Sequence, residues 1–464
     1  MKSITSPAFS QSSNPQKRLY KIIDSLQVEV SVTSNPYRLE LDHLFQMAAR
    51  MNKKRGFLFV SKLLGKHIPV QAALSLSSGA VLGCLYESWI FDKPTTVPAD
   101  ELQIAIANTE KANALYKRLM DSKIKVDEPT LFIGFAETAT ALGHSMFDAF
   151  EGNVAYLHTT REQIDYLDSL INFEEEHSHA VSHRCYAGNP GIFTNASRVV
   201  LVDDEITTGN TSLNIIKELH KRFGHRDFVV ASLLDWRSAA DRERFAALES
   251  ELGIRIRCLS LLEGTISVEG SPLTENMEQT APIVEGETEY RKHSISPYFE
   301  HTESATQDVS GPISEHIVPY LKLTGRFGIN DAQNKALQRE IVQAAEYMTS
   351  QRMGKRTLCM GTGEFMYIPM RIASLMGDGV FYQSTTRSPI YPSNRDEYAV
   401  TSAYRFDSSE DANVDNFMYN LTPGQYDEIF VFIERELEPQ KRESFERVLR
   451  KIGIPLVHLV YFSE

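Results

Sequence analysis

The sequence predicts an α/β protein: a doubly wound, mostly parallel sheet, then a second α/β domain. Three observations carry this. Short apolar, β-branched runs alternate with helical patterns between residues 131 and 262. The same alternation returns from residue 325 onward, after a stretch of different composition. At 464 residues the chain exceeds what one ordinary core organises.

Each element follows from local pattern. Residues 1–17 are polar and Ser-rich without an apolar run, so they read as a disordered N-terminus and not as a signal peptide. Residues 56–60 read as a strand, and 70–90 as an apolar helix or a strand pair. Leu102, Ile104, Ile106, Ala112, Leu115 and Leu119 recur at helical spacing, predicting one helix over 101–122. Strands are expected at 131–135, 154–158, 199–202, 228–234 and 254–261, with helices at 138–150 and 213–223. Residues 266–316 are rich in Gly, Pro, Ser, Thr and Glu and read as a poorly ordered linker. Beyond it, helices are expected at 332–353, 366–376 and 439–452, and strands at 357–360, 380–383, 428–433 and 456–461. The expected division is therefore 1–17, 18–265, 266–316 and 317–464.

Composition narrows the function classes. A net charge of −13 argues against a broad nucleic-acid surface. Cys84, Cys185, Cys258 and Cys359 are scattered without CxxC or zinc spacing, which points to reduced thiols and a cytoplasmic protein. No apolar run approaches the length of a membrane span.

The most specific signal is Val199-Val-Leu-Val-Asp-Asp-Glu-Ile-Thr-Thr-Gly-Asn-Thr211. A buried strand ends in Asp203 and Asp204. Thr207, Thr208, Gly209, Asn210 and Thr211 then lead into a helix. Free backbone N–H groups and the helix dipole favour a phosphate at such a start. Gly209 permits close approach, and the threonine hydroxyls add donors. The two carboxylates would repel a phosphate, but they suit ribose hydroxyls and a cationic ring. Phosphate beside ribose is a pentose 5-phosphate site.

The halves also echo one another. Gly134-Phe-Ala-Glu137 precedes a helix, and Thr159-Thr-Arg161 follows. Gly361-Thr-Gly-Glu364 precedes a helix, and Thr385-Thr-Arg387 follows. Ile429-Phe-Val-Phe-Ile-Glu434 faintly matches the strand of the 199–211 motif, without a phosphate loop after it. The pattern suggests a duplicated domain whose second copy lost the ribose-phosphate cradle.

Residues 199–211 closely resemble the signature of type I phosphoribosyltransferases, which use phosphoribosyl pyrophosphate (PRPP). With Gly134–Thr140, His158–Arg161, Glu175–Ala180, Gly325–Gly328, Gly361–Glu364 and Thr386-Arg-Ser-Pro389, the chain resembles one bacterial family. Its members join an orotate-phosphoribosyltransferase-like domain to a C-terminal TRSP domain, typically within tellurium-resistance and stress-response gene clusters. The resemblance implies the type I fold, PRPP and a nitrogen base as substrates, Mg²⁺ as cofactor, and a homodimer. It also implies functional partners encoded in the same cluster.

On that basis Thr207–Thr211 hold the 5-phosphate, and Asp203 and Asp204 contact the ribose. Glu137, Thr138, Ala139 and Thr140, with Arg161 and Asp235, are the expected pyrophosphate and Mg²⁺ residues; helix capping competes for Thr138 and Thr140. The resemblance places a mobile catalytic loop at 172–197, where Glu176, His177, His179 and His183 could meet pyrophosphate or, in a competing reading, a metal or only solvent. Trp236 and Arg237 are candidates for the base, with a core aromatic as the alternative for Trp236. Lys62, Lys66 and His67 read as a solvated basic face sooner than as a lid. Glu364, Thr386, Arg387 and Ser388 form a candidate second site, or else a rigid turn closing a domain interface. Three functions follow: a PRPP-dependent transferase, a non-catalytic nucleotide-sensing regulator, or a two-step enzyme with a second centre.

Overall fold

The computed structural model describes residues 16–51, 55–164, 167–174, 182–272, 287–303, 306–308, 314–316, 318–408, 414–437 and 439–464. The expected disordered N-terminus up to residue 15, and Glu176, His177 and His179, lie outside the described residues.

The first sheet has a core of parallel strands in the spatial order Arg255–Glu269, Asp227–Asp235, Arg198–Ile206, Ile124–Gly134 and Phe150–His158. Its central strand is apolar on both faces, since Val199 to Val202 are fully buried, as a sheet covered by helices requires. Lys17–Ile23 and Leu26–Ser34 extend one edge as an antiparallel hairpin. The helices Ala72–Ile90 and Ala139–Asp148 pack on each other against this sheet. Where one helix was expected over 101–122 there are two, Ala99–Ala107 and Thr109–Asp121. Asn108 separates them with an extended backbone, and its side chain accepts from Lys111 N at 3.1 Å to cap the second.

The second sheet has the order Glu289–Ser294, Leu456–Tyr461, Glu428–Ile433, Thr357–Gly361 and Val380–Ser384, all parallel; the last four repeat the first sheet's connectivity, whereas the edge strand Glu289–Ser294 precedes them in the chain. Its first strand falls inside the segment read as linker. Glu289 to Ser294 carry only one buried residue, so nothing in their composition marks a strand; pairing with Leu456–Tyr461 makes them one.

Each half donates an arm to the other. Ile329 pairs antiparallel with Tyr156 at the edge of the first sheet. Val70 pairs antiparallel with Tyr382 at the edge of the second. Ahead of each pairing a left-handed glycine lies flat on the tyrosine ring. A Cβ on Gly325 would stand 2.5 Å from Tyr156, and one on Gly65 would stand 2.7 Å from Tyr382. Reciprocal hydrogen bonds fix the arms, His158 N to Gly325 O at 3.1 Å and Ser384 N to Gly65 O at 2.7 Å.

Candidate active site

Strand Arg198–Ile206 delivers Asp203 and Asp204 to the carboxyl end of the first sheet, where open α/β sheets bind ligands. Gly209 follows with φ 75°, and helix Asn210–Phe223 begins directly after it. A Cβ on Gly209 would stand 2.5 Å from the Phe245 ring, so no other residue fits that turn. His220, Lys221 and Arg222 in the helix's last turn favour its dipole, whose positive end faces the loop. Arg244, which the sequence analysis did not single out, donates to the Thr208 carbonyl at 3.2 Å and bonds the Asn210 side chain. Arg244 is also ion-paired with Asp241, so it braces the loop against helix Ala239–Leu252.

Asp203 accepts from Asp204 N at 2.9 Å. Burial, and then the neighbouring Glu205, push the Asp204 carboxyl up to about 6. Glu205 is itself held by Arg55 at 2.5 Å. Asp204 and Glu205 border a small apolar cavity walled by Leu44, Phe59, Leu64 and Leu234.

Beside this strand, Phe135 N donates to Val202 O at 3.0 Å, which seats the loop Ala136–Thr140 next to the two acids. The Ala136–Glu137 peptide is cis. Glu137 is buried and receives Lys66 Nζ at 2.6 Å, with Arg161 at 3.6 Å. Burial alone would raise its carboxyl; Lys66 and Arg161 outweigh that and hold it below its ordinary value. Lys66 also donates to Gly363 O at 3.1 Å. It is 1% exposed and His67 is 7% exposed, so the solvated basic face read for them is not what they form. Thr138 stands at the helix start without a side-chain capping bond and is the one half-buried residue of 136–140. Thr140 is buried and donates to Glu137 O and Glu364 O, while Ala139 is core.

Several expected residues are placed elsewhere. Asp235, expected at Mg²⁺ and pyrophosphate, is fully buried with both oxygens on Arg237 (2.7 Å at the shortest). Arg237 is thereby committed too, and it lies over the Phe245 ring at 4.3 Å. Trp236 is a core aromatic, stacked on Phe59 at 4.9 Å. His183 is buried, with Nδ1 2.9 Å from Thr159 Oγ1, and is not presented to the cleft. Its strand, Ser182–Cys185, pairs antiparallel with Ile171–Glu174, and Gly191–Thr194 is a short helix, so the described parts of the expected mobile loop carry regular structure.

The candidate second site does not stand apart. Glu364 accepts from Thr160 Oγ1 at 2.6 Å and Arg161 N at 2.7 Å, across the domain boundary. Thr386 is buried and paired through its backbone with Phe417. Arg387 N lies 3.5 Å from Glu137 Oε2. Ser388 O accepts from Tyr419 OH at 2.6 Å, and Pro389 O accepts from Met51 N at 3.0 Å, so this segment is a turn at the interface. The position equivalent to Asp204 is Glu434, by the matching pairings of Ile133 with Leu201 and of Met360 with Val431. Arg326 takes both Glu434 oxygens, at 2.7 and 2.8 Å. The second centre is thus neutralised by the chain's own arginine.

A family profile described as "Phosphoribosyl transferase" matches residues 44–265, and one described as "TRSP domain C terminus to PRTase_2" matches residues 323–449. The chain belongs to this phosphoribosyltransferase family with a C-terminal TRSP domain. It is an enzyme of the glycosyltransferase type. None of the curated proteins compared matches the sequence. Among solved structures, the phosphoribosyltransferase is similar to adenine phosphoribosyl transferase from Trypanosoma brucei, at 20% identity over 34% of this chain and 66% of that chain, TM-score 0.25. It is also similar to the adenine phosphoribosyltransferases of Rhodothermus marinus (15% identity, 34% of this chain and 82% of that chain, TM-score 0.22) and Leishmania donovani (20%, 39% and 79%, TM-score 0.23). Among the described residues, no helix of the phosphoribosyltransferase is long and apolar enough to cross a membrane.

Proposed function

We propose that this enzyme transfers the phosphoribosyl group of PRPP to a nitrogen base, or runs the reverse pyrophosphorolysis, in making or salvaging a nucleoside-like metabolite. The observation that carries the proposal is the juxtaposition of the Thr207–Thr211 loop, at a helix start, with Asp203 and Asp204 at the adjoining strand end.

In the forward direction the bond from C1 to the pyrophosphate oxygen breaks, and a bond from C1 to a base nitrogen forms. The ring passes through an oxocarbenium-like state. The loop's N–H groups and hydroxyls anchor the 5-phosphate. Asp203 and Asp204 then face the ribose, where a carboxylate stabilises the developing positive charge.

Mg²⁺ fits this donor set. Asp203 and Asp204 are partly buried oxygen donors, and a magnesium ion commonly takes one or two carboxylates plus substrate phosphates. Bound there, it would supply charge neutralisation to the leaving pyrophosphate. Among the described residues no group of three His, Cys, Asp or Glu is disposed to hold a metal without substrate.

Pyrophosphate release from PRPP and Mg²⁺ across a panel of purine, pyrimidine and pyridine bases tests the reading. Release with at least one base, lost in Asp204→Asn, is expected. No release with any base, together with no binding of ribose 5-phosphate, would overturn it.

A further inference from the structure

We infer that segment 389–399 of the C-terminal domain clamps the hairpin Phe45–Ala49 and Phe57–Ser61 beside the ribose acids, and that Tyr398 is the positioning residue that holds it there. This rests on the PRPP reading above and gives the second domain a part in that same site.

The hairpin is a separate two-stranded sheet, joined to neither large one. Two strands alone are marginally stable in water, so its place depends on what it packs against. On one face Phe59 stacks on Trp236 at 4.9 Å, and Phe45 meets the Phe59 ring edge-on at 4.8 Å. Phe59 and Ser61 line the same small cavity as Asp204 and Glu205. Arg55, just ahead of the second strand, lies over the Phe57 ring at 4.5 Å and pairs with Glu205 at 2.5 Å. The hairpin thus covers Asp204 and holds its neighbour.

The outer edge of the hairpin is closed by the C-terminal domain. Alternate residues of an edge strand point their backbone groups to opposite sides. Leu44 and Arg50 face the partner strand, since Lys62 N donates to Leu44 O and Arg50 N to Gly56 O, both at 2.9 Å. Met47, Ala49 and Met51 face the other way, and segment 389–399 meets all three. Ala399 N donates to Met47 O at 3.1 Å, Tyr391 N to Ala49 O at 2.9 Å, and Met51 N to Pro389 O at 3.0 Å. The Ala49 N–H is taken by a side chain instead: it donates to Tyr398 OH at 2.8 Å, and that hydroxyl donates to Tyr391 O at 2.6 Å. Ala49 is fully buried and Tyr398 nearly so, so water cannot replace this hydroxyl at the edge. This is strand addition carried out within one chain, with one phenol in place of a backbone carbonyl.

The test uses the full chain as wild type, Tyr398→Phe, Arg55→Ala and the double variant. Amide hydrogen exchange is followed, and PRPP with Mg²⁺ is titrated calorimetrically. In Tyr398→Phe, exchange over 45–61 should quicken at least ten-fold while Arg198–Ile206 stays protected, and PRPP affinity should fall at least five-fold. The double variant should lose no more affinity than the weaker single variant, because Tyr398 acts through the hairpin that carries Arg55. Unchanged exchange over 45–61, or faster exchange with undiminished PRPP affinity, would overturn the inference. So would multiplied losses in the double variant, or faster exchange throughout, including Arg198–Ile206, which would make Tyr398 a residue of general stability. Wild type that binds no PRPP would instead bring down the PRPP reading, and the role assigned here with it.

Discussion

Asp204 must be ionised to face a cationic ribose, and its surroundings set the pH at which that holds. With its carboxyl pushed up to about 6 by burial and Glu205, the charged form is lost as pH falls through that value. Turnover should therefore rise through an inflection near pH 6 toward a plateau above it. Glu205→Gln should move the inflection down, since a like charge is removed. A pH–rate profile that is flat from pH 5 to 8 in wild type would contradict this role. Gly209→Ala should abolish ribose 5-phosphate binding, because a left-handed turn and a clash with Phe245 at 2.5 Å both oppose the new Cβ. Retained binding, measured by calorimetry, would show that the turn does not shape the phosphate loop. Residues 203–211 were legible because strand end, acids and loop are contiguous. Lys66 and Arg244 were not, since what gives each a role lies 71 and 36 residues away along the chain. Trp236 was ambiguous for a related reason: only the hairpin carrying Phe59 shows that the ring is covered.

Among the elements, the two arms matter most. Lys66 is carried by the arm that lies on the second sheet, yet its ammonium ends on Glu137 of the first. Lys66→Met removes one partner of a buried pair, which typically costs about 3 kcal/mol or more. Arg161 remains at 3.6 Å, so the cost should fall at the low end of that range. The double variant with Glu137→Gln should recover most of the loss in denaturant unfolding. Additive losses in the double variant would mean that the two side chains are energetically independent. Element existence was largely readable from periodicity, whereas edges were not. Glu-Tyr-Arg-Lys-His-Ser at 289–294 is a polar edge strand made by its neighbour. The split at Asn108 was hidden because the apolar spacing continues across it.

At the scale of the molecule, several buried histidines line the contact between the halves. His144 stacks on Tyr367 at 3.6 Å and bonds Asn334 at 3.0 Å. Burial lowers its imidazole to about 3, that of His67 to about 3 and that of His158 to about 4. The unfolded chain binds these protons at an ordinary histidine pKa and the folded chain does not. Stability is thus complete above about pH 6.5 and declines as pH falls from there toward 4, by up to about 1.4 kcal/mol per pH unit for each such histidine. A melting temperature that holds steady from pH 7 to pH 5 would argue against it. Residues 1–272 expressed alone would lack the Ile329 edge pairing and the Glu364 bonds to Thr160 and Arg161. That fragment should be less stable and bind PRPP more weakly than the full chain. Equal affinity and an equal unfolding midpoint would show that the second half is dispensable to the first.

The central claim is a PRPP site built on Asp203, Asp204 and the Thr207–Thr211 loop. Calorimetric titration of PRPP with Mg²⁺ into the wild-type chain and into Asp204→Asn tests it most directly. Saturable binding to wild type, lost in the variant, is the predicted result. Undiminished binding in Asp204→Asn, or no binding to wild type at all, would contradict it.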